Sequence, residues 1–409
     1  MTPDRPPEPG IYLDHNATTP VAAEVVEAML PFFTDQFANA SSSHPFGARV
    51  GRAIAEARRE VQALLGAEFE REIVFTSGGS EANTTAILSA IEAQPERRTI
   101  VTTAVEHPAV LRVCEHLDAK GWRVVKLSVD GRGRLDLDAY QAALSDDVAL
   151  VSVMWANNET GTLFPVVEMA EMARAAGVLF HTDAVQAVGK MAIDLASTSI
   201  DMLSLSGHKL HAPKGVGALY LRSGTPFRPL IRGGGQERGR RAGTENAAAI
   251  VGLGVAAALA RSALGEGSSA VGTLRDRLEA GIRARIDDCF VAGDAEHRLS
   301  NTTSIVFSQL EGEAIAMLLG QRGIAASSGS ACSSTALAPS HVMTAMGLPP
   351  AVAHGATRFS LSRANTAAEI DRVIDELPPI VARLRGLAAE RRREAGTAPA
   401  APLASSARP

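Results

Sequence analysis

From about residue 72 onward the chain switches between two hydrophobic rhythms. Short β-branched runs such as Ile73-Val74-Phe75-Thr76 alternate with longer stretches whose apolar residues recur at helical spacing. The pattern predicts strands over 73–76, 99–103, 123–127, 150–154, 178–182 and 202–205. Helices are predicted over 81–92, 109–120 and 166–176, with Pro108 suited to a first helical turn. Strand–helix alternation of this length implies a mostly parallel sheet covered on both faces. Such sheets bind ligands beyond the carboxyl ends of their strands. Asn158, Asp183, Lys209 and the Ser77-Gly78-Gly79-Ser80 turn all follow predicted strands, so they are expected at one edge.

After Gly233-Gly234-Gly235 and an Ala/Gly-rich helix expected over 245–264, the rhythm changes. Strands predicted over 301–307 and 356–362 flank a helix over 312–319, which suggests a smaller α+β domain. The expected division is an N-terminal segment 1–20 packing with the small domain, a large domain 21–262 and a small domain 263–390. Residues 391–409 form an Ala/Pro/Ser-rich tail expected to be disordered.

Composition narrows the functional classes. With 409 residues, 46% hydrophobic and 21% charged, the chain is long enough for a large core. A formal net charge of -5 and 4% aromatic residues offer neither a basic face nor base-stacking platforms, which argues against nucleic acid. Cys114, Cys289 and Cys332 are scattered, without a CxxC or a disulfide framework. The proline-rich, acidic start lacks the apolar stretch of a signal peptide, and no apolar run reaches membrane-spanning length. A soluble cytoplasmic protein without membrane association is expected.

The chemistry concentrates in a few residues. In Ser206-Gly207-His208-Lys209 a lysine amine could condense with an aldehyde cofactor, although a lone lysine is ordinarily a surface residue. Asp183 could keep a pyridine nitrogen protonated; its alternative is a helix cap or an ion pair. At roughly 4 Å and an effective dielectric near 20, that attraction is about 4 kcal/mol, or about three pKa units. Backbone N–H groups at Gly79 and Ser80 could cradle a phosphate, or the turn is plain, with Ser80 as a helix cap. His107 could stack on a ring or be a turn histidine, and Asn158 and Gln186 could contact a ring oxygen or cap local structure. Arg358 could clamp a carboxylate from a late strand or face solvent. Cys332, among Gly, Ser and Ala, suits a nucleophile on a loop; the alternative is an incidental exposed thiol. Cys114 falls on a helical apolar pattern and is expected in the core. His208 and His211 are three apart, but no carboxylate or thiol completes a metal set.

Taken in order, Tyr12 to Thr19, Thr76 to Asn83, Glu106-His107, Asn157-Asn158-Glu159, Asp183 to Gln186, Gly207-His208-Lys209, Gly233 to Thr244 and Ser328 to Cys332 resemble the motifs of the cysteine desulfurases. These are fold-type I pyridoxal-phosphate enzymes of the class V aminotransferase group, and the resemblance covers residues 11–384. The runs Met154 to Pro165 and His208 to Lys214 are closer to the nitrogen-fixation branch. The resemblance implies an α/β enzyme with pyridoxal 5'-phosphate on Lys209, Asp183 at the pyridine nitrogen and His107 over the ring. Asn158 and Gln186 would meet the ring oxygen. Gly79, Ser80, Ser206 and His208 would hold the phosphate, joined by Thr244 from the other subunit of a homodimer. Arg358 and Asn39 would bind substrate L-cysteine, and Cys332 would take its sulfur for an iron–sulfur scaffold protein, with no metal involved. A selenocysteine lyase or a transaminase could share the scaffold, but a transaminase does not need Cys332. A non-enzymatic scaffold would be expected to have lost Lys209, Asp183 or Cys332. Two departures stand out: His15 replaces a more usual asparagine, and Ala38-Asn39-Ala40-Ser41-Ser42 lacks the family's usual proline at 40.

Overall fold

A computed structural model describes residues 10–328 and 339–394; Cys332 and the tail from 395 fall outside them. Eight strands precede the helix Ala247–Ser262: β1 (Ile11–Tyr12), β2 (Ile73–Thr76), β3 (Thr99–Thr103), β4 (Arg123–Leu127), β5 (Val148–Ser152), β6 (Leu179–Asp183), β7 (Met202–Ser206) and β8 (Gly217–Leu221). Strands β2 to β8 form a seven-stranded sheet in the order β2-β8-β7-β6-β5-β3-β4. Every pairing is parallel except those of β8, which runs antiparallel to β2 and β7.

The apolar runs become strands because both faces of the sheet are buried, with every residue of β2, β3, β5, β7 and β8 inside. Strand β5 begins two residues before its predicted start. Val148 pairs with Thr99, and Val153 and Met154 lie past the strand's end yet stay buried, so hydrophobicity alone misplaces the strand. The sequence pattern omitted β8, whose Gly215-Val216-Gly217 entry reads as a turn. Helices Gly79–Ala93 and Pro108–Asp118 contribute to a core on one face, built on Val74, Ile100, Leu150 and Leu219. Cys114 lies in that core, fully buried, and burial pushes its thiol up to about 12.

The other face is covered in part by Val166–Ala175 and a long pair, Pro45–Leu65 and Ala247–Ser262. Small residues let that pair approach closely: a Cβ on Gly254 would lie 2.5 Å from the Ala57 Cα. The later part of the chain forms a three-stranded antiparallel sheet in the order β12-β10-β9, from β9 (Cys289–Ala292), β10 (Thr302–Phe307) and β12 (Ala356–Ser360). Helices Glu266–Arg285, Gly312–Gly320 and Ala367–Glu394 contribute to a separate apolar cluster over it. The short β11 (Ile324–Ala325) pairs in parallel with β1, which ties the start of the chain to that cluster. No helix among the described residues is long and apolar enough to cross a membrane.

Candidate active site

A cleft of about 340 Å³ opens at the carboxyl edge of the large sheet. Its base is the turn after β2. Gly78 has φ 155°, and a Cβ on Gly79 would come within 2.8 Å of Val185, so only glycines let the chain pass here. The helix starts at Gly79 with Gly78 as its N-cap, so Ser80 lies inside the first turn and is not the cap. The amides of Gly79, Ser80 and Glu81 precede the first helical bond, which Ala82 makes to the Gly78 carbonyl. This N-terminus, Ser206 at the end of β7 and His208 lie along one part of the cleft and can accept an anion.

Asp183 ends β6 and lines the cleft, only 6% exposed. Its Oδ2 accepts from Asn83 Nδ2 at 2.6 Å and its Oδ1 from the Val185 amide at 3.0 Å, so the carboxylate is held in one orientation. Asn83 Oδ1 is buried and has no partner among the described residues. His107 is the N-cap of Pro108–Asp118, and its Nδ1 accepts from the Ala109 amide at 3.1 Å. That bond leaves the ring proton on Nε2. Burial pushes His107 below the ordinary histidine range; Asp183 opposes the shift, while Lys209 and His341 reinforce it. Burial likewise takes His208 to about 4, aided by Lys209 and Lys214. Both rings are neutral near pH 7. Next to His107 in sequence, Glu106 is fully buried and raised to about 8 by desolvation, with Thr103 Oγ1 and the Met154 amide donating to Oε1 and Oε2 without a partner among the described residues.

Lys209 closes the single 3-10 turn after β7, and its Nζ donates to the carbonyls of Asn16 and Ala17. Gln186 and Asn158 line the same cleft; Gln186 Nε2 donates to the Asn16 carbonyl at 3.0 Å. Arg358, 4% exposed on β12, reaches across from the small sheet. Its Nη2 donates to Asp14 at 2.6 Å and its Nη1 to the Asn158 carbonyl at 2.9 Å, while Nε has no partner among the described residues. The guanidinium faces the cleft, not solvent, and shares its charge with Asp14.

Lys209, Asp183, His107, Asn158, Gln186, Gly79, Ser80, Ser206, His208 and Arg358 thus converge. Thr244 and Asn39 do not line the cleft: both are exposed, and Asn39 Oδ1 accepts from the Ser41 amide. Cys332 lies outside the described residues. His15 is buried edge-on against Tyr12, with ring centroids 4.9 Å apart and Nδ1 without a partner among the described residues. His208 and His211 turn to different oxygens, Thr18 Oγ1 and the Pro20 carbonyl. Sequence reasoning missed Asn83, Asn16 and Glu81. Asn83 was recoverable, since it follows Gly79 by four residues on one helix face. Glu81, tied to Arg241 at 2.9 Å, joins the anion-binding turn to a segment 160 residues away that no local pattern reveals.

The family model for class-V aminotransferases matches residues 11–373. A "Cysteine desulfurase NifS" from Azotobacter vinelandii is 64% identical over 92% of this chain and 94% of its own length. A cysteine desulfurase from Gluconacetobacter diazotrophicus is 62% identical over 92% and 94% of the two chains. Among solved structures, a NifS-like protein superposes with a TM-score of 0.86 at 36% identity, covering 92% of this chain and all of that one. With its sheet order, its cleft and these relatives taken together, the chain belongs to the class-V aminotransferase family.

Proposed function

We propose that this chain is a pyridoxal-phosphate-dependent cysteine desulfurase that converts L-cysteine to L-alanine and leaves the sulfur as a persulfide on Cys332. The convergence of Lys209, Asp183, His107 and the Gly79–Ser80 turn on one cleft carries the reading. The donor set fits that cofactor: uncommitted helix amides and Ser206 for the phosphate, a held carboxylate for the ring nitrogen, an amine for the aldehyde. When bound, pyridoxal phosphate supplies an electron sink for charge developing at the substrate α-carbon.

The chain's own residues divide the remaining work. Lys209 would hold the cofactor's aldehyde end and could move the proton at the substrate α-carbon. Asp183, held by Asn83 and the Val185 amide, would keep the ring nitrogen protonated. Neutral His107 lines the cleft, where it would pack against the ring and could pass a proton from Nε2. Arg358 receives the substrate carboxylate in competition with Asp14. The Cys332 thiolate attacks the substrate sulfur: an S–S bond forms, the Cβ–S bond breaks, and its electron pair stays with the fragment that is protonated to alanine. Holding both partners in one protein replaces a bimolecular encounter.

We further infer a homodimer in which Thr244 serves the partner's cleft. The exposed Leu30, Phe33, Phe37 and Phe46, 58–72% accessible, put four large apolar side chains within residues 30–46, which supports a covered face there. The inferred division is a large domain over 21–262 and a small one over 263–390, the latter taking the segment 1–20. An iron–sulfur scaffold protein, serving nitrogenase assembly in the cytoplasm, is the proposed sulfur acceptor. The test is alanine and sulfide measured together from L-cysteine and a reductant, for wild type and Cys332→Ala. Equal amounts, lost in the variant while its cofactor absorbance survives, are expected. Unchanged turnover in the variant would instead indicate a lyase that needs no protein thiol.

A further inference from the structure

Behind the cleft lies a second, smaller cavity of about 90 Å³, bordered by His15, Lys190, Lys209, His211, Asn301 and Arg363. Gln186 and Lys190 stand at the partition between the two. Gln186 and Asn16 border the cleft and Lys190 borders the rear cavity. Lys190 Nζ donates to Gln186 Oε1 at 2.8 Å and to Asn16 Oδ1 at 3.0 Å. Gln186 Nε2 donates to the Asn16 carbonyl at 3.0 Å. The acceptor end of the carboxamide therefore points to the rear and its donor end to the cleft side.

A flipped Gln186 would set its oxygen against the Asn16 carbonyl and its NH2 against a nitrogen whose hydrogens point at it. Asn16 cannot turn to accommodate this. Its Oδ1 also accepts from Asn301 Nδ2 at 3.1 Å, and its Nδ2 donates to Thr302 Oγ1 at 2.9 Å and to the Asn158 carbonyl at 3.2 Å. Burial, with Lys209 and Arg358 nearby, pushes Lys190 well below the ordinary lysine range. A neutral amine still has two hydrogens, one for each oxygen, so the bonding pattern survives loss of the charge.

We propose that Lys190 is a positioning residue: from outside the cleft it fixes the polarity of the Gln186 carboxamide, so that Gln186 offers a donor and not an acceptor to the cofactor's ring oxygen. This rests on the reading that the cleft holds pyridoxal phosphate. It acts through another side chain, so its signature is dependence on Gln186.

The experiment strips the protein of cofactor and titrates pyridoxal phosphate back into wild type, K190M, Q186A and the double variant. Affinity and the pH midpoint of the bound cofactor's absorbance are both read. K190M is expected to weaken affinity about tenfold, the effect of losing roughly one strong hydrogen bond, and to raise the midpoint. In the Q186A background it should change neither. Equal effects in both backgrounds, or no effect of K190M, overturn the inference, because Lys190 would then act by its charge, through Asn16 or not at all. Should K190M not fold, Q186E serves: its carboxylate keeps the Lys190 bond and loses the donor. It should bind pyridoxal phosphate as weakly as Q186A, and wild-type affinity in Q186E overturns the proposal. Wild type that takes up no pyridoxal phosphate overturns the reading of the cleft as well, whereas normal loading with additive effects overturns this inference alone.

Discussion

The two sheets contribute to the cleft in opposite ways. The large parallel sheet presents its site residues where strands end: Gly79 just past β2, Asp183 last in β6, Ser206 last in β7. The small antiparallel sheet presents Arg358 from the middle of β12, paired with Ser304 on one side and bridged to Ser327 on the other. Strand-end residues can change side chain without disturbing a ladder, and helix amides and local caps orient them. A mid-strand arginine is fixed by the sheet and by whatever charge lies opposite, here Asp14. The first arrangement suits a cofactor that stays; the second suits a substrate carboxylate that must come and go against a resident competitor.

The largest break in this comparison comes at the large sheet's edge. On the role proposed for Lys209, Lys209→Ala should lower alanine formation by on the order of 10³-fold or more, measured under cofactor saturation, because the proton at the α-carbon would lose its carrier. Next is Asn83→Ala, which leaves Asp183 in place but releases Oδ2. The loss of one hydrogen bond to a charged group, about 1.5–3 kcal/mol, should cost roughly 10- to 100-fold in kcat, with a shift in the cofactor's absorbance. On the small-sheet side, Arg358→Lys should raise the KM for L-cysteine about tenfold with a smaller change in kcat, since a point charge cannot replace the planar fork. A kcat loss as large as that of Asn83→Ala would erase the proposed distinction between the two sheets.

The smallest effect is on stability rather than turnover. Glu106 has a folded pKa raised to about 8 from an ordinary 4.5. Its protonated form is favoured in the fold, so its contribution is present below about 4.5 and is lost as pH rises through about 8. Thermal unfolding should therefore show wild type losing stability over that window. Glu106→Gln, which supplies an N–H at the unpartnered Oε2 position, should flatten the decline. Curves that stay parallel would mean that the buried carboxyl does not titrate there.

Much of the fold and half the site could be read along the chain, for a physical reason. Asp183, Ser206 and Lys209 follow apolar runs whose ends are marked locally, and the Gly78-Gly79 turn announces itself by composition. Asn83 needs only the helix period in addition. Asn16 is different: it binds Thr302, Asn301, Lys190 and Lys209, partners from 174 to 286 residues away, and nothing in its own neighbourhood signals that role. Strand β8 escaped notice because antiparallel insertion is decided by its neighbours, not by its five residues. Thr244 is exposed and away from the cleft, so neither its local sequence pattern nor the geometry of this chain assigns it a role.

Glu81 bonds the Ser77 amide at the anion-binding turn and, with the same carboxylate, the Arg241 guanidinium. Further back, Arg58 and Glu237 fasten the same 236–244 segment to β2 through the Ile73 carbonyl and the Phe75 amide. Whatever settles on the turn and whatever docks against that segment thus share one carboxylate. Thermodynamic linkage then makes their influence mutual: if filling the turn tightens association at the segment by some factor, association tightens filling by the same factor. A protein built this way would measure its own assembly by how firmly it grips its cofactor.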